Sequence, residues 1–195
     1  MADISNLSIA PSEPLDFDAY KSVGEGKTFP TKGRYTLRAP DSFPAEAFAP
    51  NKAGTALTVQ IDPTIVGPVG EGRTLKFTRV SAKTFQRGGV TVSQLGDYLK
   101  ACGQTGKLSG DPQEQANAAE ATAGQVYEAD LDWRLYAKGA NKDGSDLVIE
   151  GMEKFPKDDN GGYVPYVESP TQLNENGEPK RLWANLTISR FIPRG

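Results

Sequence analysis

The chain has 195 residues, 37% of them hydrophobic and 9% aromatic, and a net charge of −3. That is enough apolar material for one ordinary domain with its own core, and too much for a disordered chain. There is no histidine and a single cysteine, which excludes His-based acid–base or nucleophilic catalysis, cysteine-built zinc sites and an internal disulfide framework.

Gly 21 and Pro 14 imply many turns and short strands. No apolar run approaches the roughly 18 residues of a membrane span. Met1–Ile4 opens neither a basic nor an apolar signal region. With Cys102 alone, these features point to a reducing, cytoplasmic setting (host cytoplasm if the chain is viral) and no membrane partner. Charge is segregated. Residues 1–20 carry four acids and no bases, 21–110 thirteen bases and six acids, 111–178 five bases and fifteen acids, and 179–195 four bases and no acids. Such blocks can produce a two-faced field, although a solvated surface gives the same pattern.

In chain order, residues 1–32 read as a flexible acidic arm in which no period of 2 or 3.6 persists, and 33–195 as one domain. Alternation predicts strands at Gly33–Ala39, Thr55–Ile61 and Arg73–Val80. The third has Leu75 and Phe77 on one face and Lys76 and Thr78 on the other. A helical turn is expected around Ala45–Phe48. Val92, Leu95, Leu99 and Cys102 form a helical stripe over Thr91–Cys102, with Thr91 and Gln94 as a capping box. Asp111, Pro112 and Glu114 start a second, alanine-rich helix. Strand alternation returns at Gln125–Tyr136, where Tyr127, Leu131, Trp133 and Leu135 oppose Glu128, Asp130, Asp132 and Arg134. Leu147–Met152 is a further strand, Asp158–Gly177 a long loop, and Leu182–Ile192 the closing strand. The fold class expected is β-rich α+β: an OB-fold-like five- to six-stranded barrel with helices inserted between strands three and four.

Gly24–Thr28 superficially matches a phosphate-binding loop, but Lys21 stands where the motif needs glycine and Phe29-Pro30 cannot open the helix. Glu128, Asp130 and Asp132 share a strand face that could gather a divalent ion. A solvated face with Arg134 as counter-charge is the favoured reading, so no metal or other cofactor is expected. In the closing strand Leu182, Ala184, Leu186, Ile188 and Ile192 take the core parity, broken by Arg190. Trp183 and Phe191 flank small polar residues on the opposite one. An OB-fold stacks bases on such aromatics while cations track the phosphates, each base contributing about 1–3 kcal/mol. The candidate nucleic-acid-binding set is Arg34, Arg38, Lys76, Arg79, Lys83, Phe85, Arg87, Arg134, Tyr136, Trp183 and Phe191. The competing reading packs Trp183 and Phe191 under the helices or the long loop.

Lys32–Tyr35, Gly72–Phe77, Gln94–Gly103 and Gly151–Pro156 together resemble, in layout, the OB-fold single-stranded-DNA-binding proteins of bacteriophages. The resemblance implies coating of exposed single strands in phage DNA replication or recombination, without catalysis, alongside phage replication proteins. Many such proteins end in an acidic tail, whereas this chain ends Ser189–Gly195 with two arginines. The acidic arm is then a candidate competitor for the basic surface. The alternative function is a structural or adaptor protein of a virion or other assembly, its outward aromatics burying against a protein partner.

Overall fold

The computed structural model describes residues 30–67 and 70–194. All but the last three residues of the acidic arm, and the rejected phosphate-loop segment, lie outside the described residues. Among these residues the fold is strand-rich, with a curled five-stranded half-barrel sheet, three smaller sheets and two α-helices.

Strand β8 (Val126–Ala137) is the spine of the main sheet. Its strict alternation buries Tyr127, Ala129, Leu131, Trp133 and Leu135 on one face, as the sequence predicts. On one edge it pairs antiparallel with β12 (Asn185–Ile192). On the other it pairs with β1 (Gly33–Arg38) along its first half and β9 (Leu147–Glu150) along its second. β4 (Thr64–Ile65) extends the sheet beyond β1. The chain is already anchored at Pro30, whose carbonyl accepts from the Trp133 indole N–H at 2.8 Å.

A second sheet joins β2 (Phe48–Pro50), β3 (Leu57–Gln60) and β5 (Arg79–Ser81), with Val59 and Val80 opposed and buried. The expected helical turn is a 3₁₀ turn at Ala45–Ala47. The third expected strand is mostly not strand: of Arg73–Val80 only Arg79 and Val80 lie in one, β5, and Leu75 and Phe77 do not share a face. Leu75 is buried and its N–H donates to the Pro63 carbonyl, while Phe77 points outward at a positive φ.

A hairpin comes next, β6 (Thr84–Arg87) and β7 (Val90–Ser93), turned by Gly88-Gly89 at φ +59° and +80°. Two successive positive φ values define a primed turn, which glycine adopts at no steric cost. Helix α1 (Gln94–Ala101) is shorter than expected. Thr91 belongs to β7, and Ser93 is the N-cap, its hydroxyl accepting from the Gly96 N–H at 3.0 Å. Its buried stripe of Leu95, Tyr98 and Leu99 packs between β12 and β5 and so ties the two sheets together. Each such fully buried side chain contributes roughly 1.5–3 kcal/mol. Helix α2 (Pro112–Glu120) starts as predicted, with Asp111 accepting from the Glu114 N–H at 2.9 Å.

The Asp158–Gly177 stretch is not one loop, since β10 (Tyr166–Leu173) runs through it and pairs with β11 (Pro179–Trp183) in a two-stranded ribbon. The single closing strand is likewise two strands, β11 and β12, separated at Ala184. No helix among the described residues is long and apolar enough to cross a membrane.

The tightest part of the core is aromatic. Tyr98 lies 5.4 Å from Tyr127 and 5.7 Å from Phe191, ring centre to ring centre. The Thr122 hydroxyl donates to the Ala119 carbonyl, so it accepts from Tyr98 at 2.6 Å. The buried Tyr127 hydroxyl has no partner among the described residues. Burial pushes the neighbouring Cys102 thiol up to about 12, leaving it un-ionised at neutral pH.

Candidate nucleic-acid interface

The outward face of the main sheet carries three of the expected cations, and each has an acidic partner. Arg34 faces Asp130 across the strands at 3.3 Å, Arg38 reaches Asp41 at 2.7 Å and Arg134 reaches Glu150 at 2.9 Å. Lys32 adds a contact to Asp132 at 2.9 Å. The side chain of Asp132 also accepts the N–H groups of Trp133 and Met152. Among the described residues no group of three acidic or sulfur side chains could hold a metal ion. Tyr136 donates its hydroxyl to Asp146. This hydrogen bond and the Gly139 N–H hold the Asp146 carboxyl below its usual range. The face is a lattice of alternating signs, so it offers no continuous cationic track.

The aromatic pair expected on the closing strand does not exist as a pair. The strand is interrupted at Ala184, which leaves Trp183 on β11, opposite Tyr166 of β10 with ring centres 4.9 Å apart. Arg181 lies over the same Tyr166 ring at 4.8 Å. Further along, β12 bulges between Ile188 and Arg190. One extra residue inverts the parity of the residues after it. Phe191 therefore pairs with the buried Ala129 and turns inward against Tyr98 and Tyr127. It belongs to the core, and the outward assignment of Phe191 is corrected.

The remaining expected residues gather on a different segment. From Arg73 to Arg87 the chain carries five bases, and no acid intervenes between Glu71 and Asp97. Arg73 lies over the Trp133 ring at 5.4 Å. Lys76 is exposed in the turn that precedes β5. Arg79 donates to the Gln60 side-chain carbonyl at 3.3 Å, and Lys83 is exposed between β5 and β6. Lys76, Arg79 and Lys83 form no ion pair among the described residues. Arg87 covers Phe85 at 5.2 Å and reaches Asp97 at 2.9 Å.

Between Lys76 and Arg79 stands Phe77, at φ +62° and 79% exposed. A bulky residue in the left-handed region is a genuine outlier and costs about 1–2 kcal/mol. The turn that fixes it is held on both sides. The Thr78 hydroxyl donates to the Leu75 carbonyl at 2.6 Å, and the Thr78 N–H donates to Asp62 at 2.9 Å. The same Asp62 accepts from Gln60 at 2.7 Å. Phe85, 43% exposed, is the second aromatic of the strip.

Two outward aromatic rings near Lys76, Arg79 and Lys83, which have no acidic partner among the described residues, can stack on planar groups while those cations neutralise phosphates. Phe77 is the residue that strand alternation misplaced. The signal that finds it is the unbroken run of bases around it, which a solvated strand does not need. Comparison with protein-family models, curated proteins and solved structures gives no match to this chain.

Proposed function

We propose that this chain binds single-stranded DNA, with little sequence preference, along the Arg73–Arg87 strip. The observation that carries the reading is Phe77. An aromatic side chain is held in solvent by a turn that costs free energy, flanked by Lys76 and Arg79. Water-exposed strain of this kind persists where the surrounding structure enforces it, and such positions cluster at binding sites. Phe77 and Phe85 take bases by stacking, while Lys76, Arg79 and Lys83 take phosphates. In this reading the curled main sheet, with helices inserted ahead of β8, is an OB-fold-like half-barrel, and the binding strip lies on the smaller sheet and hairpin beside it. The role is that of a non-catalytic coat on exposed strands, as in phage-type replication or recombination.

The test is fluorescence anisotropy of a labelled oligo-dT with the wild-type chain and a Lys76→Gln/Lys83→Gln variant. The reading expects binding that weakens steeply with salt, and a shallower salt slope for the variant. Absence of binding at low salt sinks it.

A second reading, a protein-binding adaptor, is favoured by the β10–β11 ribbon, which has no third strand among the described residues and carries Trp183 at 54% exposure beside Tyr166 and Arg181. Concentration-dependent assembly lost in Trp183→Ala, without DNA binding, selects that reading.

A further inference from the structure

We infer that the outer edge of β7 docks an extended segment of a partner protein in which apolar residues alternate with acidic ones. The two-residue turn at Gly88-Gly89 makes Arg87 and Val90 a hydrogen-bonded pair, and Gln86 and Thr91 the next, non-hydrogen-bonded one. The backbone N–H and C=O of Thr91 therefore point away from β6, as does the N–H of Ser93. Among the described residues these three groups have no hydrogen-bond partner, and β7 pairs with β6 alone. Such an edge is a template for strand addition, in which main-chain bonds give affinity and side-chain pockets give specificity.

Thr91 and Ser93 line a groove of about 510 Å³, whose other walls are α1 and the Gln104–Gly110 segment. Val90, Val92, Leu99 and Leu108 make it apolar, and Val90 is left 61% exposed. Lys100 and Lys107 also line it and are exposed. The one carboxylate in its lining, Asp97, is already paired with Arg87. Charge complementarity then selects the occupant. Carboxylates suit the two lysines, aliphatic side chains suit the apolar wall, and a strand backbone suits Thr91. An alternating strand supplies both side-chain chemistries at once, because successive side chains leave it on opposite faces. A nucleic-acid strand fits less well. None of the described residues that line the groove is aromatic, so bases have nothing to stack on, and phosphates leave the apolar wall uncovered. The inference does not rest on nucleic-acid binding, since it concerns a different surface and a different ligand.

Anisotropy of a fluorescein-labelled seven-residue peptide of alternating valine and aspartate, titrated with the full chain, tests it. Saturable binding is expected, and about tenfold weaker binding when lysine replaces aspartate in the peptide. Lys100→Glu/Lys107→Glu should weaken the aspartate peptide by about tenfold as well. Thr91→Pro removes only an N–H that β6 does not use, so it should keep the hairpin and also lose about tenfold in peptide affinity. In hydrogen exchange on the wild-type chain, the peptide should slow the amides of Thr91 and Ser93 and leave those of β8 unchanged. Wild-type affinity in either variant, equal affinity for the two peptides, or no binding at millimolar peptide overturns the inference. Oligo-dT that slows the same two amides in the absence of peptide overturns it too, because the groove then belongs to nucleic acid.

Discussion

Replacing Phe77 by glycine separates stability from binding. Phe77 is 79% exposed, so only about a fifth of a side chain that can bury roughly 150–250 Å² is out of water. At ~25 cal/mol per Å² that contact contributes about 1 kcal/mol. Its left-handed backbone costs about 1–2 kcal/mol for a residue with a Cβ. Glycine removes that cost but adds unfolded-state freedom of about 0.5–1 kcal/mol. These contributions cancel to within about 1 kcal/mol, so Phe77→Gly should melt within about 2–4 °C of the wild type. Loss of one stacked base, about 1–3 kcal/mol, should meanwhile weaken oligo-dT binding by roughly 5- to 150-fold. A thermal melt followed by circular dichroism and an anisotropy titration read the two quantities on the same preparation. A large fall in Tm would show that Phe77 is structural, and unchanged affinity in a stable variant would remove it from the interface.

The same geometry has other consequences. Lys76→Gln and Lys83→Gln should each flatten the dependence of log affinity on log salt by about 0.7 for a single strand. Arg34→Gln should leave it unchanged, because Asp130 already faces that charge; equal slopes for all three would place the phosphates elsewhere. Tyr127→Phe removes a buried hydroxyl that has no partner among the described residues, and such a group costs about 1–3 kcal/mol. Its Tm should therefore equal or exceed that of the wild type, and a lower Tm would reveal an unseen partner. Asp146 is depressed first by the Tyr136 hydroxyl and then by the Gly139 N–H. A carboxyl depressed in the fold contributes stability that is present above its unfolded pKa and lost as pH falls through the folded value. Tyr136→Phe should raise the Asp146 midpoint in a carboxyl NMR titration and shrink that acid-side loss, and an unmoved midpoint would contradict the assignment.

The parts of the fold legible in the sequence are those in which one local rule runs uninterrupted. β8 announces itself because alternation holds from Tyr127 to Leu135, with every inward residue apolar. α2 announces itself because Asp111, Pro112 and Glu114 satisfy its first turn locally. Single-residue interruptions are what local patterns miss. The bulge at β12 turns Phe191 inward, and its one local mark is Arg190, a charge at a core-parity position between Ile188 and Ile192. The turn at Phe77 depends on Asp62, sixteen residues away in sequence, accepting the Thr78 N–H. β10 is hidden because it contains Pro170, carries a register shift and is mostly exposed, so no inward face is written into it. The cations of the site are legible as residues, but their pairing is not. Whether Arg34 or Lys83 keeps its charge for a ligand depends on what lies across the strand.

The central claim is that single-stranded DNA lies along Arg73–Arg87. Ultraviolet cross-linking of the full chain to oligo-dT, with the adducts mapped by mass spectrometry, tests it most directly. Adducts should concentrate on peptides containing Phe77 and Phe85 and should disappear from the former in Phe77→Gly. Adducts confined to β8 and β12, or none at all under saturating oligonucleotide, would contradict the claim.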